Sequence, residues 1–456
     1  MHPIALLALA FILAGAVVCA LRPAWAAPYF SAVIYAHMPD ALRAEYGLPS
    51  LFMILAPALV VLALVRHTLF AEAFGSGWRS ALWWLTAWGV VSAASFLYAI
   101  DSTRTAAGLL DHLDAVFIVL ILTLFLRRRD QLAPVVWALI GAGLFLASLT
   151  LHQRLTGNFG STYGGFARVE LRNLLGETHG LRSAGPLSTN YFALILVSLV
   201  PLAADRLLHA RALAARAVAG MALVAIVAAV ACTYSRGGLL ALGAVAFLML
   251  LSAPKWPRIL IAAAPVALVA LWLAPAGYLE RMGSFAQAWE GLRGRHVDDS
   301  AIRGRLSEFR SAAQMFGDHP LLGVGSGNYE VHYTKYAQAI ALDGRREERQ
   351  AHSLYLEVAA ENGLVGLGVF CGLLGFAGVG VRRARDAFRA SGDTDLAHLS
   401  TGIGIAFAGY LLGSVFLHLS YPRFFWVLVG IALAVRALAP PAPVAAPALG
   451  HREVWA

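Results

Sequence analysis

Charge is scarce in this chain. Asp, Glu, Lys and Arg make up only 13% of its 456 residues, whereas 59% are hydrophobic and the mean hydropathy is +0.69. A soluble protein of this length would carry about twice that share of charged residues. The composition therefore excludes a soluble multidomain protein. It predicts an all-α polytopic membrane protein, whose length sets the number of helices and not the number of domains.

Cysteine is also scarce. The three cysteines, Cys19, Cys232 and Cys371, lie in or beside apolar segments and lack the paired spacing of a zinc site. We therefore expect neither disulfides nor a structural zinc ion.

Long basic runs are lacking although the formal net charge is +9, since the longest run is the three arginines at 127–129. Basic residues stand at the ends of apolar segments, which indicates membrane topology and no nucleic-acid partner. Short connections rich in arginine, such as 127–129 and 382–385, alternate with connections that hold isolated arginines. This alternation predicts that both termini are cytoplasmic.

Long hydrophobic runs are what the chain has in abundance. Twelve apolar segments have about the 20 residues that a bilayer-spanning helix needs. They are 3–21, 49–66, 80–99, 106–126, 132–152, 187–205, 215–233, 237–253, 258–275, 353–381, 398–418 and 421–438. We expect 3–21 to remain as a membrane helix, because the residues before it lack the positive charge of a signal peptide.

These segments divide the chain into four parts. Residues 1–275 hold nine helices and an outer loop at about 153–186, and residues 276–352 form a large helical loop domain on the same side. Residues 353–438 hold helices ten to twelve, and 439–456 is a Pro/Ala-rich tail that we expect to be disordered in the cytoplasm. The loop domain is the longest polar interval, so we expect the chemistry there.

Three arginines lie on an amphipathic helix of this loop domain. Its apolar residues recur at spacings of three and four and are Ile302, Leu306, Phe309, Ala313 and Phe316. At 100° per residue, Arg303 and Arg310 point away from this stripe and Arg305 flanks it. The planar guanidinium suits phosphate oxygens, although an arginine beside a buried face can also extend to the membrane surface with no ligand.

Two further arginines stand in outer connections. Arg236 lies in the tight connection SRGG (235–238), where an arginine near the bilayer is costly unless it is paired or hydrated. It is therefore either a ligand site or a boundary anchor. Arg182 precedes the sixth apolar segment, where it could meet a lipid phosphate or anchor the chain to headgroups.

One histidine and several carboxylates complete the candidates. His352 opens the helix after the loop domain and could accept a proton, with Glu357 or Glu361 as its partner, or be structural. The carboxylates of DHLD (111–114) need a partner near the bilayer, and a structural ion pair with His112 or an arginine is favoured. GVGSGNY (323–329) is interpreted as a turn, because no strand and helix flank it as in a phosphate-binding loop. The outer loops lack an Asp-x-Asp motif, which favours catalysis without a metal.

The ordered set of SRGG (235–238), GRLSEFRSAAQMFGDHPLLGVGSGNY (304–329) and AHSLYLEVAAENGLVGL (351–367) resembles the O-antigen ligase and polymerase superfamily of bacterial envelope glycosyltransferases. The resemblance implies a GT-C-type inner-membrane enzyme with a periplasmic active site. It implies transfer of a glycan from undecaprenyl diphosphate to the lipid A-core oligosaccharide. The essential arginines of the family match Arg236 and Arg305 and its essential histidine matches His352, whereas Arg182 matches less closely.

These residues suggest a metal-independent inverting transfer. Arg236 and Arg305 would stabilise the leaving diphosphate and His352 would be the general base. Arg182, Arg303 and Arg310 are expected to bind substrate; no cofactor is expected. The expected partners are undecaprenyl diphosphate-linked glycan, lipid A-core and membrane lipids. The alternatives are a polymerase of the same superfamily and a lipid-linked glycan transporter in which the acidic residues of 111–114 relay protons.

Overall fold

The computed structural model describes residues 1–173, 179–252, 264–269, 272, 300–342, 347–417 and 422–440. Most of these residues are helical, and two strands form a β-hairpin. The elements are α1 (Pro3–Leu21), α2 (Ala26–Tyr35), α3 (Met38–Tyr46), α4 (Leu51–Phe70), α5 (Trp78–Ala94), α6 (Ser102–Phe125), α7 (Leu132–Thr156), β1 (Arg168–Asn173), β2 (His179–Gly185), α8 (Thr189–His209), α9 (Leu213–Cys232), α10 (Arg236–Ser252), α11 (Ser300–Asp318), α12 (Tyr329–Ile340), α13 (Leu354–Ala390), α14 (Thr394–Gly413) and α15 (Pro422–Leu438).

The helices confirm a polytopic membrane protein. In the described part of the chain, nine helical segments are long and apolar enough to cross a bilayer. Helix α10 and helix α15 match two further predicted segments but have only 17 residues each. The predicted segment 258–275 lies mostly outside the described residues. The number twelve is therefore not reached among the described helices, although each of the other eleven segments has its helix.

Helix α8 forms the centre of the bundle. Of its most apolar 18-residue window, 89% is buried, and it packs against α7, α9, α10 and α14. A helix that is hydrophobic all round is stable only when neighbours cover every face. A second group is formed by α5, α6, α13 and α15, and α14 packs against both α8 and α13. The two groups are thus joined through α14.

The outer loop at 153–186 contains strands that the all-α prediction did not include. Strands β1 and β2 pair antiparallel, with Glu170 opposite Arg182. The carboxylate of Glu170 accepts hydrogen bonds from the backbone N–H and the hydroxyl of Thr189, at 3.2 and 3.3 Å. An acidic group at a helix N-terminus satisfies amide donors that have no partner within the helix. The hairpin is thereby fixed to the start of α8.

The loop domain is helical, as predicted, in its described part. Helix α12 places tyrosines against α11: the Tyr329 hydroxyl donates to the Glu308 carbonyl at 2.8 Å and that of Tyr333 to Ser307 Oγ at 3.2 Å. Arg104 at the start of α6 contacts Glu330 of α12 at 2.6 Å. The domain is therefore attached to the membrane helices through side chains. Residues 276–299 and the tail 441–456 lie outside the described part.

Helix α13 is broken at Gly363, where φ is 61° and ψ is −160°, a conformation open only to glycine. Residues 320–325 fill the break. The Val324 and Gly325 amides donate to the carbonyls of residues 360 and 361, and the amides of 364 and 365 donate to the carbonyls of 320 and 321, all at 2.8–3.2 Å. The backbone groups that the break leaves without helical partners are thus satisfied.

Candidate active site

Helix α11 carries Arg305 and Glu308, two charged residues of the site. Its buried residues include Ser307, Glu308, Ser311, Ala312 and Met315, whereas Ala313 is exposed. Ile302 of the predicted apolar stripe is buried as well, so the stripe is confirmed at its start and is wrong by about one residue further along the helix. The buried face is polar because α12 offers tyrosine hydroxyls to it, and the first part of α13 covers the rest.

Glu308 is the residue that sequence reasoning missed. Its side chain is 0% exposed. One carboxylate oxygen lies 2.6 Å from Arg349 Nε, and the other lies 3.0 Å from His352 Nδ1. A buried carboxylate is stable only with such partners. The signal in the sequence was a glutamate on the helix that carries Arg305, but its partners lie about 40 residues later.

His352 lies at a sharp turn of the chain. Its φ is 48°, which is unusual for a residue other than glycine. Its Nδ1 also lies 3.1 Å from the Gln350 carbonyl. The prediction that Glu361 partners His352 is wrong, because the two Glu361 oxygens accept the backbone N–H groups of Gly327 and Tyr329 at 2.9 and 3.0 Å.

Arg305 stands one helical turn before Glu308 and faces the same side of α11. Its Nη1 donates to the Phe416 carbonyl at 3.0 Å. Phe416 ends a short turn of 3₁₀ helix after α14. Arg305 is therefore held between the loop domain and the outer end of α14.

Arg236 is the first residue of α10, and its side chain is half-buried. Ser235 Oγ accepts the Gly238 amide at 3.1 Å and donates to Asn190 Oδ1 at 2.8 Å, which fixes the start of the helix. A Cβ at Gly237 would lie 3.8 Å from the Phe416 Cβ. The start of α10 and Arg305 thus meet at the same residue, Phe416.

Arg182 contacts the segment at 233–235 that precedes Arg236. It is 1% exposed, and its Nε donates to the Thr233 carbonyl at 3.0 Å. A headgroup anchor must be exposed, so that interpretation of Arg182 is wrong. Tyr234, with φ of 51°, follows Thr233 and leads into Arg236. Arg182 therefore positions the segment from which Arg236 projects.

His352 is joined to the same region by Tyr355, whose hydroxyl donates to the Leu411 carbonyl at 3.0 Å near the end of α14. The outer ends of α10 and α14, one face of α11 and the start of α13 therefore converge. They bring together Arg236, Arg305 and His352, with Glu308 between the last two.

Arg303 and Arg310 are not brought into this group. At about 100° per residue they lie about 140° and 200° around α11 from Glu308, and Arg310 is exposed. Their predicted role in substrate binding stays a prediction. If they bind substrate, they contact a part that is away from His352.

The carboxylates of 111–114 have separate environments. Arg423 binds Asp114 at 2.7 Å and Asp40 at 2.5 Å, so the predicted structural ion pair is confirmed for Asp114. Asp111 instead lines a cavity. The predicted turn at 323–329 is also confirmed, because Gly323, Gly325 and Gly327 all have positive φ.

The part of the chain that forms this site was compared with models of known protein families. A model described as O-Antigen ligase matches residues 220–371. This region of the chain, about a third of its length, is similar to the O-antigen ligase family. The match runs from α9 into α13 and therefore includes Arg236, Arg305, Glu308 and His352, but not Arg182. Comparison with curated proteins finds no relative of the chain.

The O-antigen ligase family implies an enzyme of the membrane glycosyltransferase type that acts in lipopolysaccharide biosynthesis on a lipid-linked glycan and lipid A-core. The nine apolar segments agree with a multi-pass membrane protein of this kind. The matched region and the convergent site share two arginines, a buried carboxylate and an imidazole.

Proposed function

We propose that this protein is an O-antigen ligase of the inner membrane. It transfers a glycan from undecaprenyl diphosphate to the lipid A-core oligosaccharide at a periplasmic active site of a GT-C-type fold. The observation that carries the proposal is the buried Glu308 between Arg349 and His352, one turn from Arg305. The Gln350 carbonyl accepts the Nδ1–H of His352, and the Glu308 charge beside this nitrogen stabilises the imidazolium that forms when the ring acts as a general base.

The reaction is a displacement at the anomeric carbon. The acceptor hydroxyl forms the new C–O bond, the bond from the anomeric carbon to the diphosphate oxygen breaks, and the configuration inverts. His352 takes the hydroxyl proton at Nε2, because Nδ1 donates to the Gln350 carbonyl and lies 3.0 Å from Glu308. Undecaprenyl diphosphate departs with the electron pair of the broken bond.

The developing charge on the diphosphate is stabilised by Arg236 and Arg305. Both carry planar guanidinium groups that match phosphate oxygens. The N-terminus of α10 begins at Arg236 and that of α13 begins two residues after His352, so two helix dipoles present their positive ends to the site. These groups supply the charge that a divalent metal supplies in other glycosyltransferases, so the reaction is metal-independent.

The transport alternative is weakened by one observation. Transporters bind substrate at broken helices, where freed backbone groups contact the ligand. Helix α13 is broken at Gly363, but residues 320–325 already occupy its free backbone groups. The break in α13 therefore joins the helix to residues 320–325. It offers a substrate no free backbone groups among those that the break exposes.

The decisive experiment is transfer by the purified protein in nanodiscs with both lipid-linked substrates and EDTA present. We expect glycan on lipid A-core. Longer undecaprenyl-linked glycan with unmodified lipid A-core would instead identify a polymerase, and no product with either acceptor would contradict both enzymes.

Matched variants test the residue roles in the same assay. We expect His352→Ala to lower kcat by about 100-fold or more, as loss of a general base does. His319→Ala, at an exposed position of the same loop domain, is the control. We expect Arg305→Lys to lower kcat as well, because it keeps the charge but loses the planar fork of the guanidinium. Arg43→Lys, on the exposed face of α3, is its control. Near-normal transfer by His352→Ala would remove the histidine from the mechanism.

A further inference from the structure

A cavity of about 140 Å³ that is lined by both polar and apolar side chains lies between α5, α6, α13, α15 and the turn at 323–329. The mechanism proposed above makes no use of it. Glu357 lines the cavity and belongs to the first turn of α13, where its amide donates to the Ser353 carbonyl at 2.9 Å. Since Ser353 follows His352 directly, the cavity begins within about one helical turn of the proposed base.

Two buried side chains that line the cavity have polar atoms without a hydrogen-bond partner in the described part of the chain. They are His112 Nδ1 and Asn362 Oδ1, on residues only 9% and 2% exposed. The His112 ring forms a hydrogen bond to the backbone carbonyl of Leu85 in α5, and it does so through Nε2, which faces α5 near Gly89. A ring nitrogen bound to a carbonyl carries the hydrogen, so Nδ1 is an acceptor. Both unpaired atoms therefore require a donor.

The other polar groups of the cavity are also mainly acceptors. Asp111 and Glu357 contribute carboxylates, and neither lysine nor arginine is among the described residues that line the cavity. A phosphate or carboxylate ligand would meet acceptors of its own charge. The cavity therefore suits a ligand that donates hydrogen bonds, which is either a cation or a group with several hydroxyls.

The spacing of the acceptors argues against a cation. Among the described residues, three possible ligand atoms come within 4.8 Å of one another at Asp205, His209 and His398, and the carboxylates of the cavity form no such group. The cavity has room for much more than one water-sized ligand. Trp88 and Trp426 also line it, and the apolar faces of indole rings pack well against the C–H groups of a sugar.

We propose that this cavity binds one sugar ring of a lipid-linked substrate through its hydroxyl groups. The hydroxyls donate to Asp111, His112, Glu357 and Asn362, and the ring lies against the tryptophans. The inference rests on the proposed transferase function and names a subsite for it. The sugar is either the donor residue attached to the diphosphate or the terminal residue of the acceptor, since both present the same chemistry.

The test is a kinetic comparison of Asn362→Ala and Asp111→Ala with wild type in nanodiscs. KM and kcat are measured with undecaprenyl diphosphate-linked glycan varied and then with lipid A-core varied. Loss of one buried hydrogen bond to the sugar should raise KM for one substrate about tenfold, with a much smaller change in kcat. The substrate whose KM rises identifies the source of the sugar. Asp130→Ala, exposed beyond the inner end of α6, is the control.

A second measurement separates the possible failures. Bound substrate raises the thermal midpoint without turnover, so stabilisation by each substrate is recorded for all variants. Wild type that transfers glycan, with both KM values and both stabilisations unchanged in folded variants, would overturn the subsite alone. Wild type that neither transfers glycan nor is stabilised would overturn the proposed function together with it. Asp111 is exposed, so Asp111→Ala decides the matter if Asn362→Ala does not fold.

Discussion

At the scale of single residues, the site depends on one buried carboxylate. Glu308 contacts Arg349 and His352 while its side chain is 0% exposed. The sequence identified His352 through its place at the start of a helix, but nothing in the order of residues pairs it with position 308. A pair of this kind is formed by packing, so only the structure could supply it.

Glu308→Gln tests this pair. The amide keeps the shape of the side chain but loses the charge that stabilises protonated His352, so we expect kcat for glycan transfer to fall about 100-fold. Both KM values should stay close to wild type, because the diphosphate contacts remain. Asp386→Asn, which removes an exposed carboxylate near the C-terminus of α13, is the control. A loss of binding without a loss of kcat would show that Glu308 is only structural.

His37 gives a prediction on pH. Burial lowers the pKa of this imidazole from 6.5 to about 4, with Arg423 adding to the effect and Asp40 opposing it. The folded state therefore takes up its proton at lower pH than the unfolded state. The contribution of neutral His37 to the free energy of unfolding is fully present above about pH 6.5. It is lost as the pH falls through 4, which lowers the free energy of unfolding by up to about 3 kcal/mol.

The measurement is the thermal midpoint of wild type and His37→Asn between pH 7 and pH 4. Asparagine tolerates the left-handed conformation of this position, where φ is 55°. We expect the variant to lose less stability on acidification than wild type. Equal losses in the two proteins would mean that His37 does not cause the acid sensitivity.

At the scale of elements, the joint between the loop domain and α13 is the feature that the site depends on. The sequence predicted one continuous apolar segment at 353–381 and a turn at 323–329. The structure pairs the segment before this turn with the break at Gly363. Glycine is required on both sides, since an added Cβ at Gly323 or Gly363 would overlap the backbone of the other segment.

Gly363→Ala should therefore destabilise the protein by more than about 2 kcal/mol, because it adds strain at positive φ to a backbone clash. Transfer should fall with it, as the first part of α13 carries His352 at its start. Gly368→Ala, five residues further along α13 with open space around it, should be neutral or stabilise by up to about 1 kcal/mol. Thermal midpoints and transfer rates check both variants. Similar effects of the two substitutions would contradict the requirement for glycine at the break in α13.

At the scale of the whole molecule, topology determines which side of the membrane the site faces. The arginine-rich connections predict cytoplasmic termini and an outer loop domain. The attachment of Arg104 to Glu330 places the start of α6 on the same side as α12, which agrees with the predicted alternation. The sidedness itself stays a prediction.

Thiol labelling tests the topology. In a variant with the three native cysteines replaced by alanine, Glu347→Cys and Arg128→Cys each add one exposed position, at 67% and 73% exposed side chains. In right-side-out vesicles, an impermeant maleimide should label Glu347→Cys and not Arg128→Cys until the membrane is permeabilised. The reverse pattern would invert the topology and place the site in the cytoplasm.

The sequence by itself determined the class of the protein and most of its membrane helices, and it predicted three residues that the fold brings together in the candidate site. Hydrophobic length, arginine placement and local motifs are properties of contiguous residues, so they can be read along the chain. The hairpin that positions Arg182, the polar buried face of α11, the break at Gly363 and the pairing of Glu308 with His352 depend on contacts between distant segments. Only tertiary packing decided them, because a buried polar group is stable only where the fold supplies its partner.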